Sequence, residues 1–169
     1  MAEPVLREAT VSDATAIGAL HVASWRVAYA GDVPPDVLSG LSMLDSARRW
    51  EEILGAAERK GTVVVLEADG WLGGFAGFGP AGDASGGQLY ALYVDPERWG
   101  RGWGGLLLGE AVRHLSAAGH REAMLWVLDT NTRARGFYES AGWKPDGATK
   151  TEEMHGVALP VVGYRRPLP

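Results

Sequence analysis

Between Asp95 and Gly105 the chain reads DPERWGRGWGG, with glycines at 100, 102, 104 and 105 and arginines at 98 and 101. Glycine lets backbone N–H groups come close to a ligand and reach angles that a side chain forbids. Leu107, Leu108, Ala111, Val112 and Leu115 follow, with the spacing of a helix that buries one stripe. Such a helix turns its free N–H donors and the positive end of its dipole toward the glycines. Upstream, Gln88 to Val94 (QLYALYV) has strand composition and stops at Asp-Pro. Strand, glycine turn and helix N-terminus in this order form an anion site suited to a phosphate. Arg98 and Arg101 are its local cations.

Three nucleotide-type readings compete for this turn, beside the plain one of a tight connection. A Walker loop needs Lys-Ser or Lys-Thr after its last glycine, and Leu106-Leu107 stands there. The dinucleotide pattern G-x-G-x-x-G is met by Gly100, Gly102 and Gly105, and Asp129 lies at a distance suited to the ribose acid. Against it, Asp95 to Trp99 separate the strand from the first glycine, and too little chain follows Asp129 for a second mononucleotide half. The third reading rests on the run V-D-P-E-R-W-G-R-G-W-G-G-L-L. It resembles the R/Q-x-x-G-x-G/A signature that follows the fourth strand of the GNAT (Gcn5-related N-acetyltransferase) family, a pyrophosphate site for acyl-CoA.

A second stretch, NTRARGFYESAGW from Asn131 to Trp143, resembles that family's N-x-x-A-x-x-F-Y-x-x-x-G-F/W. Asn131, Ala134, Phe137, Tyr138 and Gly142 match, with Trp143 in the aromatic slot; the bland alternative is an amphipathic helix whose Phe-Tyr pair is core. Both signatures stand in order with a strand between them, and the opening R-E-A-T-x-x-D-A-x-x-I is similar to the family's usual start. The resemblance therefore implies a complete domain over residues 1–169.

It also implies acetyl-CoA as cofactor and direct transfer of the acetyl group to an amine, with no covalent enzyme intermediate. Acyl transfer from a thioester needs positioning, a donor for the developing oxyanion, an acid for the thiolate and a neutral amine. By the resemblance, Leu92, Tyr93 and Val94 present backbone groups to the pantetheine and the oxyanion. The stretch Arg98, Trp99, Gly100, Arg101, Gly102, Trp103, Gly104 and Gly105 holds the pyrophosphate. Asn131 contacts the pantetheine region, and Tyr138 protonates the departing sulfur. Two positions depart from the pattern. Trp99 occupies the R/Q slot, with Arg98 before it. Gln88 occupies the fourth-strand position where some members carry a glutamate base, and an amide cannot take a proton at neutral pH. The base is left open among a water positioned by Gln88, His21, Glu153, His155 and no dedicated base.

Other elements must place these residues. Residues 4 to 8 suit a short strand, and Ser12 suits the cap of a helix with Ile17, Leu20 and Val22 inside. His21, Trp25 and Tyr29 share one face of that helix, either as core or as the lining of an acceptor pocket. GDVPP (31–35) breaks it, and a second helix is expected over 43–60. Two apolar runs joined at Asp69-Gly70 read as a hairpin. Its second strand carries glycines at 73, 74, 77 and 79, which point to bulges or close packing. Residues 80–87 read as a loop, 122–128 as a strand, 131–141 as a helix and 157–166 as a final strand or two. The expected fold is α/β of the α+β type: a mixed sheet of about six to seven strands with about four helices, its fourth and fifth strands splayed.

Composition sets further bounds. The 169 residues suit one domain, 46% hydrophobic, with no repeat or low-complexity linker. No signal peptide and no membrane-length apolar run is present. Cysteine is absent, which excludes disulfides, thiolate metal sites and a cysteine nucleophile; no metal is expected, and a cytoplasmic location fits. The net charge of −5 argues against nucleic acid and mildly favours a cationic acceptor. The partners expected are acetyl-CoA and an amine, a small molecule or a protein α-amine, with homodimerisation one option. A non-catalytic acyl-CoA-binding module is the competing class.

Overall fold

The computed structural model describes residues 2–169. One mixed sheet has the strand order β1-β2-β3-β4-β5-β7-β6. Its strands are β1 (Val5–Glu8), β2 (Thr62–Ala68), β3 (Trp71–Pro80), β4 (Gly87–Val94), β5 (Glu122–Leu128), β6 (Lys144–Met154) and β7 (Val157–Pro167). Five helices accompany it: α1 (Ala14–Ala28), α2 (Pro35–Ser39), α3 (Met43–Gly55), α4 (Trp103–Ala117) and α5 (Thr132–Ser140). This is the mixed, helix-flanked sheet that the sequence pattern leads one to expect, with seven strands and one more helix.

The extra helix is α2. Pro35 occupies its first turn, where the fixed proline φ suits a helix and the missing N–H is no loss. The same GDVPP segment thus ends α1 and begins α2. Ser12 does not cap α1. A short 3-10 turn, Val11–Asp13, precedes the helix, and the Asp13 carboxylate accepts from the Thr10 amide at 2.8 Å. Arg7 fixes that carboxylate through two N–H···O bonds of 2.8 and 2.9 Å. Helix α3 stops at Gly55 rather than Lys60, because no apolar residue after Leu54 continues its buried stripe. The expected loop 80–87 is shorter at both ends, since β3 reaches Pro80 and β4 starts at Gly87. The C-terminal region holds a full hairpin, β6 with β7, where only residues 157–166 were expected to pair.

Helices cover both faces. Val63, Val65 and Phe75 pack against α1 and α3, while Val64, Leu66 and Phe78 pack against α4, the alternation of a doubly buried strand pair. The glycines of β3 serve this packing. A Cβ on Gly74 would come within 2.8 Å of Leu107, and one on Gly73 would run into the Trp103 ring. The first turn of α4 is thereby pressed onto the sheet. The Asp69-Gly70 turn has φ of 53° and 75°, the two positive angles of a tight hairpin turn.

Strands β4 and β5 are parallel neighbours over only three pairs, Gly87 with Ala123, Gln88 with Met124 and Leu89 with Leu125. At the next residue the β3–β4 register skips Tyr90, since Gly77 faces Ala91 and Phe78 faces Leu89. A bulge bends and twists the strand that carries it. From Ala91 to Val94, β4 keeps β3 on one edge, and from Tyr90 onward it has no β5 partner on the other. The splayed strands leave a gap in the middle of the sheet. No helix among the described residues is long and apolar enough to cross a membrane.

Candidate active site

The gap opens into a cleft of about 810 Å³. Its floor is β4 from Leu89 to Val94. One end is closed by the Arg98–Gly105 turn, one side by α5, and the other end by α1, the loop after it, β5 and β6.

At the turn, Gly100 and Gly102 both have φ of +80°, a region that strains any residue with a side chain. Gly102 is the N-cap of α4, and the first backbone bond of the helix runs from the Leu106 amide to the Gly102 carbonyl at 3.2 Å. The N–H groups of Trp103, Gly104 and Gly105 therefore have no carbonyl within the helix. They sit beside the open edge of β4, which offers further backbone donors and acceptors. An anion bound here would meet oriented amides and the positive end of a 15-residue helix.

The cations differ from the pair singled out in the sequence. Arg98 lines the cleft, 3.5 Å from Asp95. Arg101 does not line it; its guanidinium lies 5.9 Å from the centre of the Trp103 ring. Arg133, from the first turn of α5, lines it instead and lies 4.0 Å over the Trp99 ring. Arg133 occupies an unspecified slot of the Asn131–Trp143 stretch, so spacing gave no signal for it. Trp99 folds back along β4, and its indole N–H donates to the Val94 carbonyl at 3.0 Å. Trp103 is buried against β3 and contributes mainly its backbone amide.

Helix α5 brings Tyr138 to the cleft. Asn131 caps the helix by accepting the Ala134 amide at 3.1 Å, and both residues line the cleft. Tyr138 is buried, packed edge-on to Phe137 and Trp143 at 5.3 and 6.2 Å. Burial, then the nearby Tyr93 hydroxyl, push its pKa up, so the phenol stays protonated throughout the neutral range. Tyr29 and Tyr93 also line the cleft, and burial raises both of their pKa values. The Trp25 indole N–H donates to the Tyr93 hydroxyl at 3.1 Å. Three protonated phenols thus face the region where the strands part.

Of the helical trio His21, Trp25 and Tyr29, only Tyr29 lines this cleft. His21 and Trp25 stand behind its wall and border a separate cavity of about 330 Å³ together with His155. His21 packs on Tyr93 at 4.8 Å and accepts the Trp50 indole N–H on Nδ1 at 3.3 Å. Burial lowers its pKa to about 4, helped by His155 and Arg49, so it is neutral at neutral pH. Gln88 lies in the paired part of β4, before the bulge, and is not among the cleft-lining residues. Glu153 is exposed on the outer side of β6, whereas Glu152, one residue earlier, lines the cleft. The sequence pattern marks no strand over 144–154, and without a register the two glutamates cannot be told apart. Ser24 and Asp32 also line the cleft, and neither carried a motif. No group of three or more His, Cys, Asp or Glu that could hold a metal occurs among the described residues.

Known proteins share this architecture. The chain is 33% identical over 165 residues to a protein of Mycobacterium tuberculosis named probable N-acetyltransferase Rv2775, covering 95% of this chain and 91% of that protein. It is 31% identical over 166 residues to the Bacillus subtilis protein named uncharacterized N-acetyltransferase YuaI, covering 96% and 92%. Its fold matches the crystal structure of PaiA N-acetyltransferase from Thermoplasma acidophilum in complex with coenzyme A, with a TM-score of 0.73, 20% identity and coverage of 98% and 99%. The family model described as Acetyltransferase (GNAT) family matches residues 25–143, and with it and the two near full-length relatives the chain belongs to the GNAT acetyltransferase family.

Proposed function

We propose that the protein, acting as one unit over residues 1–169, transfers the acetyl group of acetyl-CoA to a primary amine by direct attack. The observation that carries this reading is the unpaired edge of β4 from Tyr90 to Val94, running from the amide-rich N-terminus of α4 to the Tyr138 hydroxyl. A phosphorylated, amide-bearing thioester fits each part. The Trp103–Gly105 amides and Arg98 and Arg133 receive its phosphates. Backbone groups of Leu92, Tyr93 and Val94 pair with its pantetheine arm. The Val94 carbonyl already accepts the Trp99 indole, so the amides of this edge carry more of that pairing than its last carbonyl.

Acetyl-CoA supplies the acyl group as a thioester, and the chain's residues do the rest. A backbone N–H among Leu92, Tyr93 and Val94 steadies the oxyanion as the amine adds. Tyr138 gives its proton to the sulfur as the C–S bond breaks, and regains one from solvent. The amine's surplus proton leaves to water. The GNAT relatives named N-acetyltransferases support the reaction class. Thiol release from acetyl-CoA, measured over a panel of primary amines and an α-amine peptide, tests the reading. Amine-dependent release is the expected result; acetyl-CoA binding without release on any amine would make the protein a cofactor-binding module instead.

A further inference from the structure

The charged groups of the cleft are segregated. Its two cations, Arg98 and Arg133, lie at the glycine-turn end; its two carboxylates, Asp32 and Glu152, lie on the loop after α1 and on β6. Phosphates account for the first pair. A carboxylate can take the proton that the attacking nitrogen must lose, but one suffices for that, and two on one side of the cleft also set a negative field that suits a further positive charge.

The structure holds a primary ammonium at one of them. Lys150 Nζ lies 2.8 Å from Glu152 Oε1 and 4.4 Å from the centre of the Trp126 ring. Both Glu152 and Trp126 line the cleft. Strand β5 gives Ala123, Leu125 and Val127 to the core under α4, so Trp126 faces the opposite side, toward α1. An indole face beside a carboxylate is a good seat for an alkylammonium, through cation–π attraction and a charge-assisted hydrogen bond. In the same half of the cleft the Ser24 hydroxyl, only 2% exposed, has no hydrogen-bond partner in the protein. A buried hydroxyl in that condition has its hydrogen-bonding capacity open to a polar ligand or a water.

Resting on the acetyltransferase reading above, we propose that the acceptor is an alkylamine with a second cationic group. Its reacting nitrogen goes toward Tyr138, with Ser24 as a hydrogen-bond partner. Its second ammonium takes the seat formed by Glu152 and Trp126, displacing Lys150. Asp32, which accepts the Thr130 hydroxyl at 2.6 Å, extends the negative field on that side.

The test compares α,ω-diamines from propane to hexane with the monoamines of the same length, by steady-state thiol release from acetyl-CoA. The best diamine should exceed its monoamine in kcat/KM by about tenfold or more, the scale of one charge-assisted contact. Glu152→Gln should erase that advantage through KM, bringing the diamine down to its monoamine. Lys150→Met should raise kcat/KM for the diamine, since it removes the competing ammonium. Thermal melting confirms that both surface variants are folded. Equal kcat/KM for diamine and monoamine, or an advantage that survives Glu152→Gln, overturns the proposal while leaving acetyl transfer intact. Absence of release with every amine would overturn the transfer reading itself, and this inference with it.

Discussion

The indole N–H of Trp99 donates to the carbonyl oxygen of Val94 at 3.0 Å, closing the end of β4 onto the turn that follows it. The GNAT signature has an arginine or glutamine at this position, and the tryptophan leaves the turn one polar side chain short. Arg133 reaches the same end of the cleft from another helix, stacked 4.0 Å over the Trp99 ring. Stacking holds the guanidinium in place at little entropic cost.

Arg98→Ala and Arg133→Ala should each weaken CoA binding by about 1.5–3 kcal/mol, the range for a hydrogen bond to a charged group. Arg48→Ala, on α3 and outside the cleft, serves as control. Calorimetry at two salt concentrations should show the turn variants losing part of the salt dependence. Equal losses at all three positions would mean that the two cleft arginines do not meet the phosphates.

Gly105 separates folding from binding. It lies in the first turn of α4, lines the cleft, and has nothing within 4 Å of where a Cβ would sit. Gly105→Ala should therefore stabilise the helix by about 0.5–1 kcal/mol in urea unfolding. The same methyl should lower CoA affinity by crowding the amides. Gly102→Val should lose both stability and binding, because its φ is +80°. A Gly105→Ala protein that binds CoA as well as the parent would place the phosphates away from this turn.

The glycine-turn end of the cleft was legible because its parts are local. Strand, glycine turn and helix are contiguous in the chain, and the Asn131 cap with Tyr138 lies on one short helix. The opposite end was not legible. Ser24, Asp32, Trp126 and Glu152 meet only through the splay of β4 from β5 and the register of β6. A skipped residue at Tyr90 and a one-residue choice between Glu152 and Glu153 decide that end, and side-chain period alone cannot supply a register. His21 shows the same limit from the other side: helical spacing placed it with Tyr29, but its ring turns behind the wall onto Trp50 and Tyr93.

His21 makes stability depend on pH. Its pKa falls from 6.5 to about 4 on folding, so between these values the unfolded chain binds more protons. Stability from this group is complete above about pH 6.5 and is lost as pH falls toward 4. Lowering the pH from 7 to 5 should cost about 2 kcal/mol through His21 alone, at 1.36 kcal/mol per unit. His21→Gln should lower the stability at pH 7 yet flatten its fall between pH 7 and 5. Parallel curves for parent and variant would show that the imidazole titrates normally.

The Trp25–Tyr93 bond ties α1 to the strand that carries the open edge. Tyr93→Phe leaves the Trp25 indole N–H without its acceptor, on a residue only 4% exposed. Unfolding free energy should fall by about 1–3 kcal/mol, the cost of an unmet buried donor. A double-mutant cycle with Trp25→Phe should recover most of that loss, and strictly additive losses would show that the bond contributes nothing.

Acid catalysis by Tyr138 is the centre of the proposed mechanism. Tyr138→Phe keeps the ring packed on Phe137 and Trp143 and deletes only the hydroxyl. Single-turnover acetyl transfer to the best amine of the panel, with CoA affinity measured on the same protein, isolates the chemical step. Affinity and stability should stay nearly unchanged while the rate falls by about two orders of magnitude, within the usual range for a positioned proton donor. A rate within about twofold of the parent, with chemistry limiting, would contradict it and leave the sulfur to depart unaided.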